Sequence, residues 1–210
     1  NGGEVLGSGT SISVTYKALD PFLKPNSIHI EFSRDGGAKW ITLGKNLPNN
    51  GVFFWDIPKS TAADTALIKV SCEDLAGNIG SDESDKPFSI DGYPPDVKII
   101  GPSIGTTVPL EINISVADVG RAGVANIILY YSTDSGRTWK EYKSYSAGEK
   151  VLLEALDGVY GLYASASDSV GNSTPPPLSG TKPMFTVMLD TTPPSVKTVA
   201  PQKDEIIPSG

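Results

Sequence analysis

Short stretches in which apolar and polar residues alternate run the length of this chain. Ile12, Val14, Tyr16 and Ala18 share one face of residues 10–18, and Ile28, Ile30 and Phe32 share a face just before residue 33. A period of two is the mark of a half-buried β-strand. Further strands are predicted at 41–43, through Val52-Phe53-Phe54-Trp55-Asp56-Ile57, over residues 66–74 and at Phe88–Asp91. The same order then begins again: residues 97–100, then Ile112, Ile114 and Val116, then Ile127, Leu129 and Tyr131, then residues 158–168. Asp20-Pro21, Lys24-Pro25 and Asn49-Asn50-Gly51 separate the runs as turns.

The two series carry the same octapeptide at the same place. Ser33-Arg34-Asp35-Gly36-Gly37-Ala38-Lys39-Trp40 returns as Ser132-Thr133-Asp134-Ser135-Gly136-Arg137-Thr138-Trp139, with Asp35 and Asp134 99 positions apart. The pattern Ser-x-Asp-x-Gly-x-x-Trp resembles an Asp-box hairpin. Its Asp and Ser side chains are suited to accept hydrogen bonds from turn amides, Gly37 and Gly136 to supply a positive φ, and Trp40 and Trp139 to close over the loop. Asp74 to Asn78 likewise matches Asp168 to Asn172. Gly92-Tyr93-Pro94-Pro95 recurs as Thr191-Thr192-Pro193-Pro194, and paired prolines end a ladder and hold the chain extended. A repeat of this length is that of a domain. The sequence therefore predicts an all-β chain of two tandem sandwiches joined by a short Pro-Pro linker: residues 1–93, lacking a first strand, and 94–192. Residues 193–210 open a third copy, because Val196-Lys197-Thr198-Val199 repeats Val97-Lys98-Ile99-Ile100. That orphan strand is expected to be ordered, on the second unit or on the first unit of a neighbouring molecule.

Asn1-Gly2-Gly3-Glu4, the Ser33–Trp40 box, Phe54-Trp55-Asp56-Ile57-Pro58 and Phe88-Ser89-Ile90 together resemble secreted bacterial Ig-like repeats; the second unit resembles a related Ig-like or fibronectin-type-III-like module. The resemblance implies a β-sandwich spacer in an exported or cell-surface protein, with no catalytic residues and with adjacent domains of the same chain as partners. Seven or so short strands per unit agree with that architecture.

Composition narrows the alternatives. A net charge of −7 with only three arginines, Arg34, Arg121 and Arg137, argues against nucleic acid. No apolar run approaches the length that spans a bilayer, so membrane insertion is not expected. Asp boxes recur in sialidase propellers, but two boxes cannot supply the four blades that a propeller needs. His29, the only histidine, alternates with Ile28 and Ile30 and is expected on the solvated face; Cys72, the only cysteine, falls on the face of Ile68 and Val70 and is expected in the core. Neither a zinc site nor a Ser-His-Asp constellation can be assembled from them.

No cofactor is expected, and calcium is the one metal left open. Asp74, Asp82, Glu83 and Asp85 crowd one end of the first unit with hard oxygen donors. No Asp-x-Asp-x-Asp-Gly loop accompanies them, and Asp74 and Asp168 are suited to satisfy their own turn amides. The two units also differ on their outer faces. His29, Glu31 and Lys69 of the first correspond to Ile128, Tyr130 and Tyr163 of the second, with Tyr142 a candidate fourth member. Clustered aromatics suit sugar rings and protein surfaces, so an adhesin-like or carbohydrate-binding module is the alternative to a spacer.

Overall fold

The computed structural model describes residues 2–199. The first half of the chain forms β1 (Val5–Gly7), β2 (Ser11–Thr15), β3 (Ile28–Ser33), β4 (Ile41–Leu47), β5 (Val52–Asp56), β6 (Ala63–Glu73), β7 (Ile79–Glu83) and β8 (Phe88–Asp91). The second half forms β9 (Asp96–Ile100), β10 (Ile104–Gly105), β11 (Leu110–Ala117), β12 (Val124–Ser132), β13 (Lys140–Tyr145), β14 (Val151–Leu153), β15 (Gly158–Asp168) and β16 (Phe185–Leu189). In the first set, the sheet β1-β8-β6-β3-β4, with β7 also on β6, faces the pair β2-β5. In the second, β10-β16-β15-β12-β13 faces β14-β11-β9. Strands β1 and β10 run parallel to β8 and β16, and the other pairings are antiparallel. This is an immunoglobulin-type sandwich made twice, and among the described residues no strand pairs across the two sets. No helix among them is long and apolar enough to cross a membrane.

The alternation fixes what each sandwich buries. Ile28, Ile30 and Phe32 of β3 pack with Trp55, Ile68, Phe88 and Ile90 in one core. Ile127 and Leu129 of β12 pack with Ile112, Leu162, Ala164 and Val187 in the other. The octapeptides begin at the ends of β3 and β12, so each turn is anchored to a strand whose inward face lies in the core of its sandwich.

Departures from the sequence expectation have local causes. Strand β7 was not anticipated because all five of its residues are exposed and carry no alternation; its ladder to β6 holds it. The first sandwich has no counterpart of β9 among the described residues, so the edge of β2 opposite β5 is unpaired. An open cleft of about 650 Å³ lies there, lined by Ile12, Val14, Tyr16, Val70 and Cys72. Cys72 packs against the first core as expected, but from this open edge it is only half-buried. His29 is not freely solvated: its side chain is 23% exposed, Nε2 lies 3.5 Å from Oε1 of Glu31, and Nδ1 is sealed without a partner. Residues 196–199 form no strand, and Val196 is 92% exposed, so the orphan segment does not pack on the second sandwich. Residues 200–210 of the expected third copy lie outside the described residues.

Leu129 is fully buried at the centre of the second core. Leu129→Ala should lower unfolding stability by about 2–5 kcal/mol, the usual result of deleting a packed leucine and leaving a cavity. Denaturant titration followed by tryptophan fluorescence measures it, and an unchanged midpoint would show that this core is not as packed as described.

Candidate functional site

The octapeptide turns form as their residue types dictate. The Ser33 hydroxyl donates to Oδ1 of Asp35 at 2.8 Å and accepts the Gly37 amide at 2.8 Å; Oδ1 of Asp35 also accepts the Lys39 amide at 2.9 Å. In the second copy Ser132 donates to Oδ1 of Asp134 at 2.7 Å and accepts the Gly136 amide at 2.8 Å, while Thr138 donates its amide and its hydroxyl to Asp134. Gly37 and Gly136 take φ of 92° and 89°, a region that side chains disfavour. The Thr138 hydroxyl and amide, then the Ser132 hydroxyl, lower the Asp134 carboxyl to about 2. The Lys39 amide, followed by the Ser33 hydroxyl, lowers Asp35 as well. Oδ1 of Asp35 and both carboxylate oxygens of Asp134 are taken up by the turns themselves, so the boxes brace hairpins.

Each box tryptophan packs on the outward residue of the neighbouring strand. Nζ of Lys69 sits 4.1 Å from the Trp40 ring centroid, and Tyr163 takes the same place against Trp139 with centroids 5.8 Å apart. Tyr130 and Tyr163 are register partners, and with Ile128 they lie half-buried on the outer face of β12 and β15. Two polar ends on this face are tied to the chain itself: Tyr163 donates to the Pro175 carbonyl, and Nε1 of Trp139 to the Thr181 carbonyl. Tyr142 does not belong to this face. A register shift between Leu129 and Tyr130 turns it toward Tyr131 on the core side, with ring centroids 6.3 Å apart.

The acidic residues singled out from sequence do not converge. Asp74 accepts the amides of Ala76 and Asn78 and the Asn78 side chain, which closes its own turn. Asp82 and Glu83 lie in exposed β7, where Glu83 pairs with Lys69 at 3.2 Å. Asp85 is not grouped with them.

Convergence occurs instead where the two sandwiches meet. Asp91 ends β8, Asp118 follows β11, and Asp168 ends β15. One carboxylate oxygen from each lies within 4.8 Å of the other two. Asp91 and Asp168 are 2% and 3% exposed. Oδ2 of Asp91 accepts the Ala122 amide at 3.1 Å, and its backbone carbonyl accepts Nδ2 of Asn172 at 3.1 Å. Asn172 also donates to Asp168, which accepts the Val170 and Asn172 amides. Asp118 accepts the Gly120 amide through Oδ1, while its Oδ2 is sealed from solvent and meets no donor. A Cβ on Gly120 would fall 1.6 Å from Oδ2 of Asp91, so only glycine allows this approach. Nearby, Arg121 reaches Asp64 of the first sandwich at 3.6 Å, and Pro95 is fully buried. Sequence reasoning missed Asp91 and Asp118. The available signal was the recurrence of Asp91 as Asp190, 99 positions on.

No family model matches the chain, and no curated protein matches it. Among solved structures, a run of titin domains aligns with 80% of this chain and 56% of its own length, at 13% identity and a TM-score of 0.42. The FN1–FN3 domains of chicken CNTN1 align at 19% identity and a TM-score of 0.32, over 81% of this chain and 62% of theirs. A tetra-tandem repeat from the extending region of a large adhesion protein aligns at 17% identity and a TM-score of 0.31, over 80% and 42%. The chain thus spans about half the length of the structures it resembles.

The lowered Asp134 carboxyl has a definite pH consequence. Its ionised form is favoured in the folded chain, so its contribution to stability is complete above the unfolded value of 3.8 and is lost as pH falls through about 2. Carboxylate NMR titration should place its midpoint near 2, and Thr138→Val should move the midpoint upward by removing the largest cause. A midpoint at or above 3.8 in the unmodified chain would refute the turn geometry.

Proposed function

We propose that this chain is a non-catalytic spacer from an exported or cell-surface multidomain protein. Residues 1–93 and 94–192 are its modules, and residues 193–210 begin the next; their partners are adjacent domains of the same chain. The observation that carries this reading is the junction. A freely hinged pair of domains would be joined by solvated chain. Here the last strand of one sandwich sends Asp91 into the loops of the next, where Ala122 and Asn172 bind it and Gly120 closes over it. Such contacts set the direction in which the second module leaves the first, which a spacer requires. The boxes support the same role, since each braces one hairpin with its own side chains. The outer aromatic face supports the adhesive alternative less, because the Tyr163 hydroxyl and the Trp139 indole are already bound within the chain.

The test is the spread of distances between the modules. Spin labels at Thr42→Cys and Lys143→Cys, in a Cys72→Ser background, should give one narrow distance distribution by pulsed electron resonance. Gly120→Ala should broaden it while circular dichroism stays that of two folded sandwiches. A broad distribution in the parent pair would contradict the spacer reading.

A further inference from the structure

The junction holds three carboxylates and, among the described residues, no ion-pair partner for any of them. Two are almost wholly buried. Neighbouring like charges removed from water are strongly unfavourable unless a positive charge or sufficient donors compensate. The amides of Ala122, Val170 and Asn172 supply donors to Asp91 and Asp168. Asp118 stands apart: its Oδ2 is shielded from solvent and reached by no donor, on a carboxylate that converges with the other two. An acceptor placed so invites a cation. The spacing is suitable, because two oxygens on one calcium ion at about 2.4 Å each are separated by at most about 4.8 Å. All three donors are hard oxygens, with neither imidazole nor thiolate, a set that suits calcium or magnesium better than zinc or copper.

We infer that Asp91, Asp118 and Asp168 form a calcium site between the two sandwiches, one that closes the joint when filled. This rests on the spacer reading and adds control by cation concentration to it. Asp91 comes from the first module and the other two from the second, so the ion binds the closed junction better than an opened one and shifts the population toward it. Calcium fits better than magnesium, because the donors come from three separate segments in irregular array and magnesium demands near-ideal octahedral geometry.

The experiment uses the full chain, stripped with a chelator and titrated with calcium chloride by calorimetry and thermal unfolding. Binding of one equivalent is expected, with a Kd of roughly 10⁻⁴–10⁻³ M, as in extracellular modules, and a melting temperature that rises with calcium by mass action. Asp118→Asn keeps an acceptor for the Gly120 amide and should weaken binding at least tenfold (an order-of-magnitude expectation for a lost charged ligand); Asp82→Asn, on exposed β7, should leave binding unchanged. In the unmodified chain, calcium-induced amide shifts should concentrate at residues 91, 118–122 and 168–172, a readout independent of how any variant folds. Absence of calcium-dependent heat, shifts elsewhere, undiminished binding by Asp118→Asn, or an equal response to magnesium chloride would each overturn the site. A narrow label distance in chelator with no calcium response would sink the site alone. Calcium binding with a broad distance would sink the spacer and the closing of the joint, and leave only the ion site.

Discussion

A carboxylate that enters a protein interior must be met there, and Asp91 is 2% exposed at the end of the first sandwich. Groups of both sandwiches meet it: the first gives the Tyr93 amide to Oδ1 and the Ser8 amide to the carbonyl, and the second gives the Ala122 amide to Oδ2 and Nδ2 of Asn172 to the carbonyl. Separating the modules would remove the second pair of donors from Asp91 and leave the Ala122 and Asn172 groups to be resolvated. The prolines bring the chain across, and Asp91 adds two hydrogen bonds from the second sandwich to that covalent connection.

Asn172 shows how one local motif acquires a second task. In the first sandwich, Asp74 and Asn78 close a turn with the Asn78 side chain on Oδ2 of Asp74 at 2.7 Å. In the second, Asp168 and Asn172 make the same turn at the same distance, and Nδ2 of Asn172 additionally reaches Asp91. The turn is identical and only its neighbour differs. The boxes vary in the same way: the tryptophan packs on a lysine in one copy and on a tyrosine in the other, with the strand framework unchanged.

What the sequence disclosed follows the range of the interactions. The box turns were readable because Ser33, Asp35, Gly37 and Lys39 satisfy one another within seven residues. The inward faces of β3 and β12 were readable because burial repeats every second residue. Tyr142 was not, because the shift at Leu129 and Tyr130 in the β12–β13 pairing reverses the side that simple alternation gives. Exposed β7 had no pattern to read. The junction was least legible of all. Its carboxylates come from positions 91, 118 and 168, and only the assembled loops of two sandwiches bring them within 4.8 Å.

The central claim is that the sandwiches keep one mutual orientation. Residual dipolar couplings from backbone amides of the full chain, in calcium-containing buffer, test it most directly. The account predicts that a single alignment tensor fits strands β1–β8 and β9–β16 together. Two tensors of different magnitude, each fitting only its own sandwich, would contradict it.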